Sequence, residues 1–328
     1  MEGFISLFQQ AVVFGTIIMF GAIGEIITEK SGNLNLGVPG IMYLGGISSL
    51  IGVFFYENAV DEPNKFVCAV IAVLCAFLAS AFGGLIFSFL TITLRANQNV
   101  TGLTLTIFGS GVANFFGGSL NQLSGGVGQL RVPATSDAFR TQIPGLSGIG
   151  GPIGKMLCQY GWLAYVAIIV AIVAQWYLSR TRTGLNLRSV GENPATADAA
   201  GLNVTRYKYL ATCIGAGISG LGGLYYVMDF TQGKWANDGT IESLGWLAVA
   251  LVIFTTWRPK NAIWGSYLFG ILYWVYMYIV GISRASQELF KMLPYVVTII
   301  VLIIISLRKK RENQPPEALG LPYFREDR

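Results

Sequence analysis

The sequence predicts an all-α polytopic membrane protein with about nine transmembrane helices, within a range of about eight to ten. Hydrophobic residues make up 53% of the chain and charged residues only 12%, whereas soluble domains average about 25% charged residues. The apolar residues recur in runs of the length that crosses a bilayer core about 30 Å thick. The chain contains no histidine, which removes the commonest general base and metal ligand. Composition therefore disfavours a soluble enzyme and a zinc protein.

Nine apolar runs mark the expected helices in chain order. They lie at 4–27, 34–55, 66–94, 100–116, 162–178, 210–228, 244–256, 262–280 and 293–307. The second run contains Asn35, Pro39 and five glycines, so we expect a broken or re-entrant helix there. Irregular backbone at membrane depth is tolerated only where protein or a watery cavity covers it. The run at 244–256 is short, and we expect its helix to begin earlier.

Basic residues indicate how the chain is oriented. Nine crossings place the two termini on opposite sides of the membrane. With the N-terminus outside, most of the 22 lysines and arginines lie in inner segments, as the positive-inside rule requires. We therefore expect an N-out/C-in protein with one membrane domain at 1–311, an outer loop segment at 117–161, an inner loop at 179–209 and a cytoplasmic tail at 312–328.

The inner loop contains the pattern of a short, capped helix. Asn193 is a good N-cap residue and Pro194 suits the first helical position. Gly201 is placed to end the helix as a C′ residue, which predicts a helix over 194–200. A helix of small residues with few charges is suited to lie in a groove on another protein. The alternative is an ordered loop whose charges simply follow the positive-inside rule.

The span at 210–228 carries small residues at every fourth position, which permits close approach of neighbouring helices. These are Ala211, Gly215, Ser219 and Gly223. The GxGxxG match at 215–220 lies inside this apolar run with no βαβ unit around it, so we do not interpret it as a nucleotide site. The sequence contains no GxxxxGK[ST] motif, so the chain is not its own P-loop ATPase.

Uncharged polar residues cluster at the inner ends of the second and fourth spans. They are candidates for lining a path for a neutral, hydrogen-bonding solute, and the alternative for each is a helix cap. The set is Asn33, Asn35, Asn97, Gln98, Asn99, Thr101, Thr104 and Asn114. Charged residues are scarce within the spans, Glu25 being the deepest. Because ion-coupled carriers use intramembrane ionisable groups, this scarcity argues against ion-coupled transport.

Four segments, in the expected order, resemble ABC-importer permeases of the branched-chain amino acid, ribose and nucleoside superfamily. They are EKSGNLNLGV at 29–38, TGLNLRSVGENPATADAAGLNV at 183–204, ISGLGG at 218–223 and WRPKNAIWGSYLFG at 257–270. The segment at 183–204 resembles the cytoplasmic loop whose short helix couples to the ATPase. NQNVTGLTL at 97–105 and IPGLSGIGGP at 143–152 are similar to the nucleoside branch. Pro39 is a departure, since many relatives carry Glu there.

The resemblance implies a permease subunit, not an enzyme, that forms half of a translocation path for a small polar solute by alternating access. Nucleosides are the expected substrate; simple sugars and branched-chain amino acids are the alternatives. The resemblance assigns the coupling to the ATPase to the short helix and its flanks. On this sequence the coupling residues are Gly191, Glu192, Asn193, Pro194, Ala199 and Gly201.

The resemblance also implies the partners. They are a second permease (a related chain or a second copy), a cytoplasmic ATPase with two nucleotide sites, and an extracytoplasmic solute-binding protein. No nucleic acid, metal or cofactor is expected on this chain, because ATP and Mg²⁺ would sit on the ATPase. The location is the plasma membrane of a bacterium or archaeon, the inner membrane if Gram-negative. A stand-alone secondary carrier and a membrane enzyme are the competing functions.

Overall fold

The computed structural model describes residues 2–123, 131–142, 154, 156, 158–236, 238–279, 281, 283–308 and 314–324. Apart from two isolated bridges, this part of the chain has no β-structure. In chain order the helices are α1 (Glu2–Glu29), α2 (Val38–Ala59), α3 (Lys65–Ser88), α4 (Gln98–Leu123), α5 (Pro133–Arg140), α6 (Trp162–Arg180), α7 (Arg182–Glu192), α8 (Pro194–Ala199), α9 (Val204–Tyr225), α10 (Thr240–Phe254), α11 (Pro259–Trp274), α12 (Arg284–Lys291) and α13 (Leu293–Arg308). π-Turns over Phe89–Thr93 and Tyr226–Phe230 extend α3 and α9, and a 3₁₀ turn over Val275–Tyr278 extends α11.

Membrane-length helices make up most of the described chain, which confirms the all-α polytopic fold. Seven of the described helices are long and apolar enough to cross a membrane: Gly3–Glu29, Val38–Ala59, Lys65–Thr93, Gln98–Ser119, Trp162–Arg180, Val204–Phe230 and Ser286–Leu307. They correspond to seven of the nine predicted runs. The other two runs are the shorter helices α10 and α11. Helix α10 begins at Thr240, earlier than its apolar run, as expected.

The expected break in the second span is wrong, because α2 is one continuous helix over Val38–Ala59. Pro39 lies in the first turn, where its missing N–H costs no helical hydrogen bond. The glycines of α2 serve packing: a Cβ on Gly40 would collide with the carbonyl oxygen of Leu105, and one on Gly45 with that of Gly220. The irregular backbone lies before the helix, at residues 30–37.

Helix α9 packs against α1, α2 and α3 along its small residues. A Cβ on Gly215 would collide with the carbonyl oxygen of Gly24 in α1, and one on Gly223 with that of Met42 in α2. The Ser219 hydroxyl donates to the carbonyl oxygen of Gly21 at 3.1 Å. Ala211 is buried. The close approach lets backbones pack together in a bundle where lipid gives little hydrophobic drive between helices.

The two described ends of the chain lie at opposite ends of α1. Near its start, the hydroxyls of Ser6 and Tyr278 are 2.9 Å apart. Just beyond its end, the carbonyl oxygen of Gly32 accepts from the N–H of Gly320 at 3.1 Å. This agrees with an odd number of crossings. We call the end that holds Gly32 the inner end, following the predicted orientation.

The outer loop segment is only partly described. Helix α4 extends to Leu123, beyond the predicted start of this segment, and α5 lies within it. Glu57 at the end of α2 accepts a hydrogen bond from the Thr135 N–H at 2.8 Å, which fixes α5 to the outer end of the bundle. The glycine-rich motif at 143–152 and residues 124–130 of the outer loop segment lie outside the described residues. So do 312–313 and 325–328 of the tail.

Candidate functional site

Helix α8 projects from the inner end of the bundle and is capped at both ends. The Asn193 side-chain oxygen accepts from the Thr196 N–H at 2.9 Å, and Pro194 occupies the first turn. Gly201 adopts a left-handed φ of 84°. The N–H of Leu202 donates to the Ala197 carbonyl oxygen at 3.0 Å. This is a Schellman motif, so both ends of the helix are where the sequence predicts them.

One side of α8 is anchored and the other is exposed. Ala197 is buried in a cluster with Val190 of α7 and Val204 of α9. Ala195 and Ala199 are exposed on the opposite side. Of the predicted coupling residues, Glu192, Asn193, Ala199 and Gly201 are exposed, Pro194 is half-buried and Gly191 is buried. The helix therefore presents a small-residue surface on a rigid mount.

Gly191 is buried because the end of α7 lies directly on the loop after α1. A Cβ on Gly191 would collide with the carbonyl oxygen of Lys30. Gly32, in the same loop, has a φ of 88°, which favours glycine. The end of α7, which leads into α8, and the loop at 30–37 are therefore in backbone contact.

The structure brings together the two predicted polar clusters at the inner end. The Leu34 N–H donates to Gln98 Oε1 at 2.7 Å. The Thr106 hydroxyl donates to the Leu36 carbonyl oxygen at 3.1 Å. These bonds tie the loop at 30–37 to the start of α4, and we call this junction the inner mouth.

Buried amides satisfy the backbone of the inner mouth. The Asn35 side-chain oxygen accepts from the Gly37 N–H at 2.9 Å. The Asn33 amide donates to the Thr212 hydroxyl at 2.9 Å, and its oxygen Oδ1 has no hydrogen-bond partner among the described residues. Asn33 is fully buried, and an unpaired buried acceptor is costly.

The other predicted path residues lie just before or along α4 and differ in exposure, Thr101 being buried. Asn97 caps α4 by accepting from the Val100 N–H at 3.1 Å. The hydroxyls of Thr101 and Thr104 donate to carbonyl oxygens one turn earlier, both at 2.8 Å. Asn99 and Thr104 are exposed. Asn114 is half-buried, and its Oδ1 has no partner among the described residues.

Two glycines leave open space on the exposed face of α4. Apart from the neighbouring helix backbone, no described atom lies within 4 Å of a Cβ placed on Gly111 or Gly118. Thr104, Gly111 and Gly118 are seven residues apart, so they share one face of the helix. The neighbouring Ile107 and Phe115 are more than two-thirds exposed. This face offers close approach to another helix, with a polar hydroxyl at its inner end.

The inner end holds buried charges, of which the sequence singled out only Glu25. Glu25 and Glu29 are 1% and 3% exposed. Glu25 Oε1 accepts from the Asn35 N–H at 3.1 Å, and Glu29 accepts from the Trp257 indole N–H. Lys208, expected at the cytoplasmic surface, is 3% exposed. The sequence did not indicate that Glu29 and Lys208 would be buried.

Lys30 links the electrostatics of the loop to those of α7. Burial, together with the Arg188 guanidinium, lowers the pKa of Lys30 to about 8, and the Glu192 carboxylate opposes this shift. Arg188 and Glu192 both belong to α7. A displacement of α7 would therefore change the charge environment of the loop.

A groove of about 850 Å³ lies beside α8 on the inner face. Its lining includes Asp198, Leu202, Arg206, Tyr209 and Tyr323. A smaller cavity of about 250 Å³ lies between the start of α4 and the C-terminal segment. Within the described ranges, no group of three or more Cys, Asp or Glu side chains is placed to hold a metal ion.

A bundle of membrane-length helices with a short, capped helix exposed at one end defines an integral membrane protein. The model of the family described as the branched-chain amino acid transport system, permease component, matches residues 7–302. The chain belongs to this family. It is therefore an ABC transporter permease, a multi-pass plasma-membrane transport subunit and not an enzyme. Permeases of this family work with an ATPase and a solute-binding protein.

The chain is similar to several permeases of stated substrate. It is 33% identical over 318 residues to the nucleoside ABC transporter permease NupC of Lactococcus lactis, covering 96% of this chain and 95% of that protein. It is 28% identical over 327 residues to the guanosine ABC transporter permease NupQ of Bacillus subtilis, with the same coverage. It is 32% identical over 267 residues to a putative glucose ABC transporter permease of Haloferax volcanii, covering 81% and 75%.

Proposed function

We propose that this chain forms half of the translocation path of an ATP-driven importer for nucleosides. The observation that carries the substrate is the end-to-end similarity to NupC, which spans 95% of that protein. The guanosine permease matches over the same share of its length. The glucose permease matches at similar identity over 75% of its length. A sugar is therefore the second candidate.

Helix α8 is the proposed coupling helix. Its exposed small side chains at Ala195 and Ala199 suit a groove on the ATPase, while Ala197 anchors it to α7 and α9. ATP and Mg²⁺ sit on that partner, which has two nucleotide sites. When the ATPase closes around its two nucleotide sites, α8 moves. The bundle then rocks between inward-open and outward-open states. The proposed coupling residues lie on this helix or flank it: Gly191, Glu192, Asn193, Pro194, Ala199 and Gly201.

The exposed face of α4, which carries Thr104, Gly111 and Gly118, is the proposed border of the path. It would face a second permease, either a related chain or a second copy. The open space at Gly111 and Gly118 permits close approach of a facing helix. Asn99, Thr104 and Asn114 supply hydrogen-bonding groups along or beside this face. Asn33, Asn35 and Gln98 instead hold the inner mouth together. The solute-binding protein docks at the outer end, where α5 lies.

A substrate test uses a strain that lacks the native permease and carries this chain with its ATPase and binding protein. Uptake of labelled guanosine and uridine is measured against labelled glucose. The proposal predicts saturable nucleoside uptake that excess unlabelled glucose does not reduce. Glucose uptake competed by unlabelled glucose, with no nucleoside uptake, would assign the second candidate instead.

A further inference from the structure

The C-terminal segment at 314–324 lies across the inner face and bonds to two separate elements. The Ala318 N–H donates to the carbonyl oxygen of Gly191, at the end of α7, at 3.1 Å. The Gly320 N–H donates to the carbonyl oxygen of Gly32, in the loop after α1, also at 3.1 Å. The donors are two residues apart, so a very short stretch of main chain bridges the end of α7 and the inner mouth.

Side chains extend the bridge in both directions. The Tyr323 hydroxyl donates to Asp198 Oδ2 of α8 at 2.8 Å, and Tyr323 packs against the cluster under α8. The Phe324 ring lies beneath the Arg95 guanidinium, 4.4 Å from its centre. Arg95 lies three residues before the start of α4. The segment thus contacts α8 directly and reaches the region where the inner mouth begins.

The burial and backbone conformation of the segment indicate a specific contact with the bundle. Ala318 is only 7% exposed. Gly320 has a φ of 78°, which an L side chain rarely adopts, and its neighbour across the contact is Leu34 of the inner mouth. A tail that merely trailed from the last helix would need neither buried backbone bonds nor a left-handed glycine.

We propose that residues 314–324 form a strap that transmits movement of α8 to the inner mouth, with Tyr323 as the positioning residue that holds α8. This proposal rests on the proposed coupling role of α8. Because the same strap bonds to Gly191, Gly32 and Asp198, any displacement of α8 that keeps these bonds displaces the loop at 30–37. That loop in turn carries the hydrogen bond from Leu34 to Gln98 at the start of α4.

The test uses the full chain reconstituted with its ATPase and binding protein in proteoliposomes. Tyr323→Phe removes the hydroxyl and keeps the ring, and Gly320→Ala strains the turn without a clash. Leu321→Ala is the matched control, because Leu321 is 58% exposed. We expect complexes that contain either strap variant to assemble and hydrolyse ATP, with uptake per ATP lowered. For Tyr323→Phe the loss should be roughly tenfold, the scale of a hydrogen bond to a charged acceptor. The control should match the wild type.

Asp198→Asn gives an independent check, because the asparagine oxygen still accepts from Tyr323 and should preserve much of the coupling. Wild-type uptake per ATP in both strap variants would overturn the proposal. So would a loss of uptake that only follows a loss of assembled complex, since the strap would then serve assembly alone. Absence of ATP-dependent uptake in the wild-type complex would instead reject the proposed function, and the strap with it.

Discussion

Gly191 and Gly32 lie against each other at the inner end of the bundle, where a Cβ on Gly32 would come within 3.4 Å of the Gly191 Cα. Gly191 is the last residue but one of α7, which leads into the proposed coupling helix, and Gly32 belongs to the loop at 30–37 of the inner mouth. Their contact is made by backbone, so it admits no side chain on Gly191. This backbone contact joins the end of α7, next to α8, directly to the loop at 30–37.

Gly191→Ala should lower both stability and transport. The added methyl collides with the Lys30 carbonyl oxygen, and overpacking of this kind costs about 1–3 kcal/mol. Thermal unfolding of the purified chain in detergent measures the effect. Gly118→Ala is the control, because no described atom lies near the new methyl. Equal stability of the Gly191 and Gly118 variants would contradict the packing.

Trp257→Phe should destabilise the chain, because it leaves the buried Glu29 carboxyl without its indole donor. A buried polar group that loses its partner costs about 1–3 kcal/mol, and more when it is charged. Glu29→Gln in the same background should cost less than it does alone, since the two residues are in contact. A double-mutant cycle of unfolding free energies measures this coupling, and additive effects would show that the bond contributes nothing.

Gln98→Ala and Asn99→Ala should separate a structural role from a path role. Gln98 accepts from the Leu34 N–H, so its removal should cost about 1–3 kcal/mol and loosen the inner mouth. Asn99 is exposed, so Asn99→Ala should leave stability unchanged and alter the KM for uptake. Gln98→Glu, which keeps an acceptor, is the control for Gln98. The assignment fails if Asn99→Ala unfolds the chain as readily as Gln98→Ala.

Stability should rise with pH above about 8 because of Lys30. Its folded pKa is about 8, below the ordinary lysine value of about 10.4. Between these values the unfolded chain binds more protons, so the free energy of unfolding increases with pH. Lys30→Met should flatten this rise, and Lys260→Met, at an exposed position, should not. Melting temperatures from pH 7 to 10 test it, and an unchanged slope in Lys30→Met would count against it.

Local features were predictable from the sequence and long-range ones were not. Both caps of α8 depend on residues within a few positions of one another, so Asn193 and Gly201 located it correctly. The break assigned to the second span was wrong because Pro39 sits in the first turn, where it is compatible with a helix. The bond between Glu29 and Trp257 joins residues 228 positions apart, and no local pattern indicates that pairing.

The polar clusters show the same division. The sequence placed both clusters at the inner ends of their spans, and the Leu34–Gln98 bond joins the two regions. Which residues face the protein and which face outward was not predictable, because it depends on the rotation of α4. The contacts of the C-terminal strap lie far from it along the chain, and Tyr323 carries no pattern that indicates its partner Asp198.

The most direct test of the account is uptake by the purified chain reconstituted with its ATPase and binding protein, comparing Ala199→Trp on α8 with Ala59→Trp at the opposite end of the bundle. Both alanines are exposed, so neither change should unfold the chain. The account predicts ATP-dependent nucleoside uptake that Ala199→Trp abolishes and Ala59→Trp preserves, with no uptake by the chain alone under an ion gradient. Full ATP-dependent uptake in Ala199→Trp, or gradient-driven uptake without the ATPase, would contradict it.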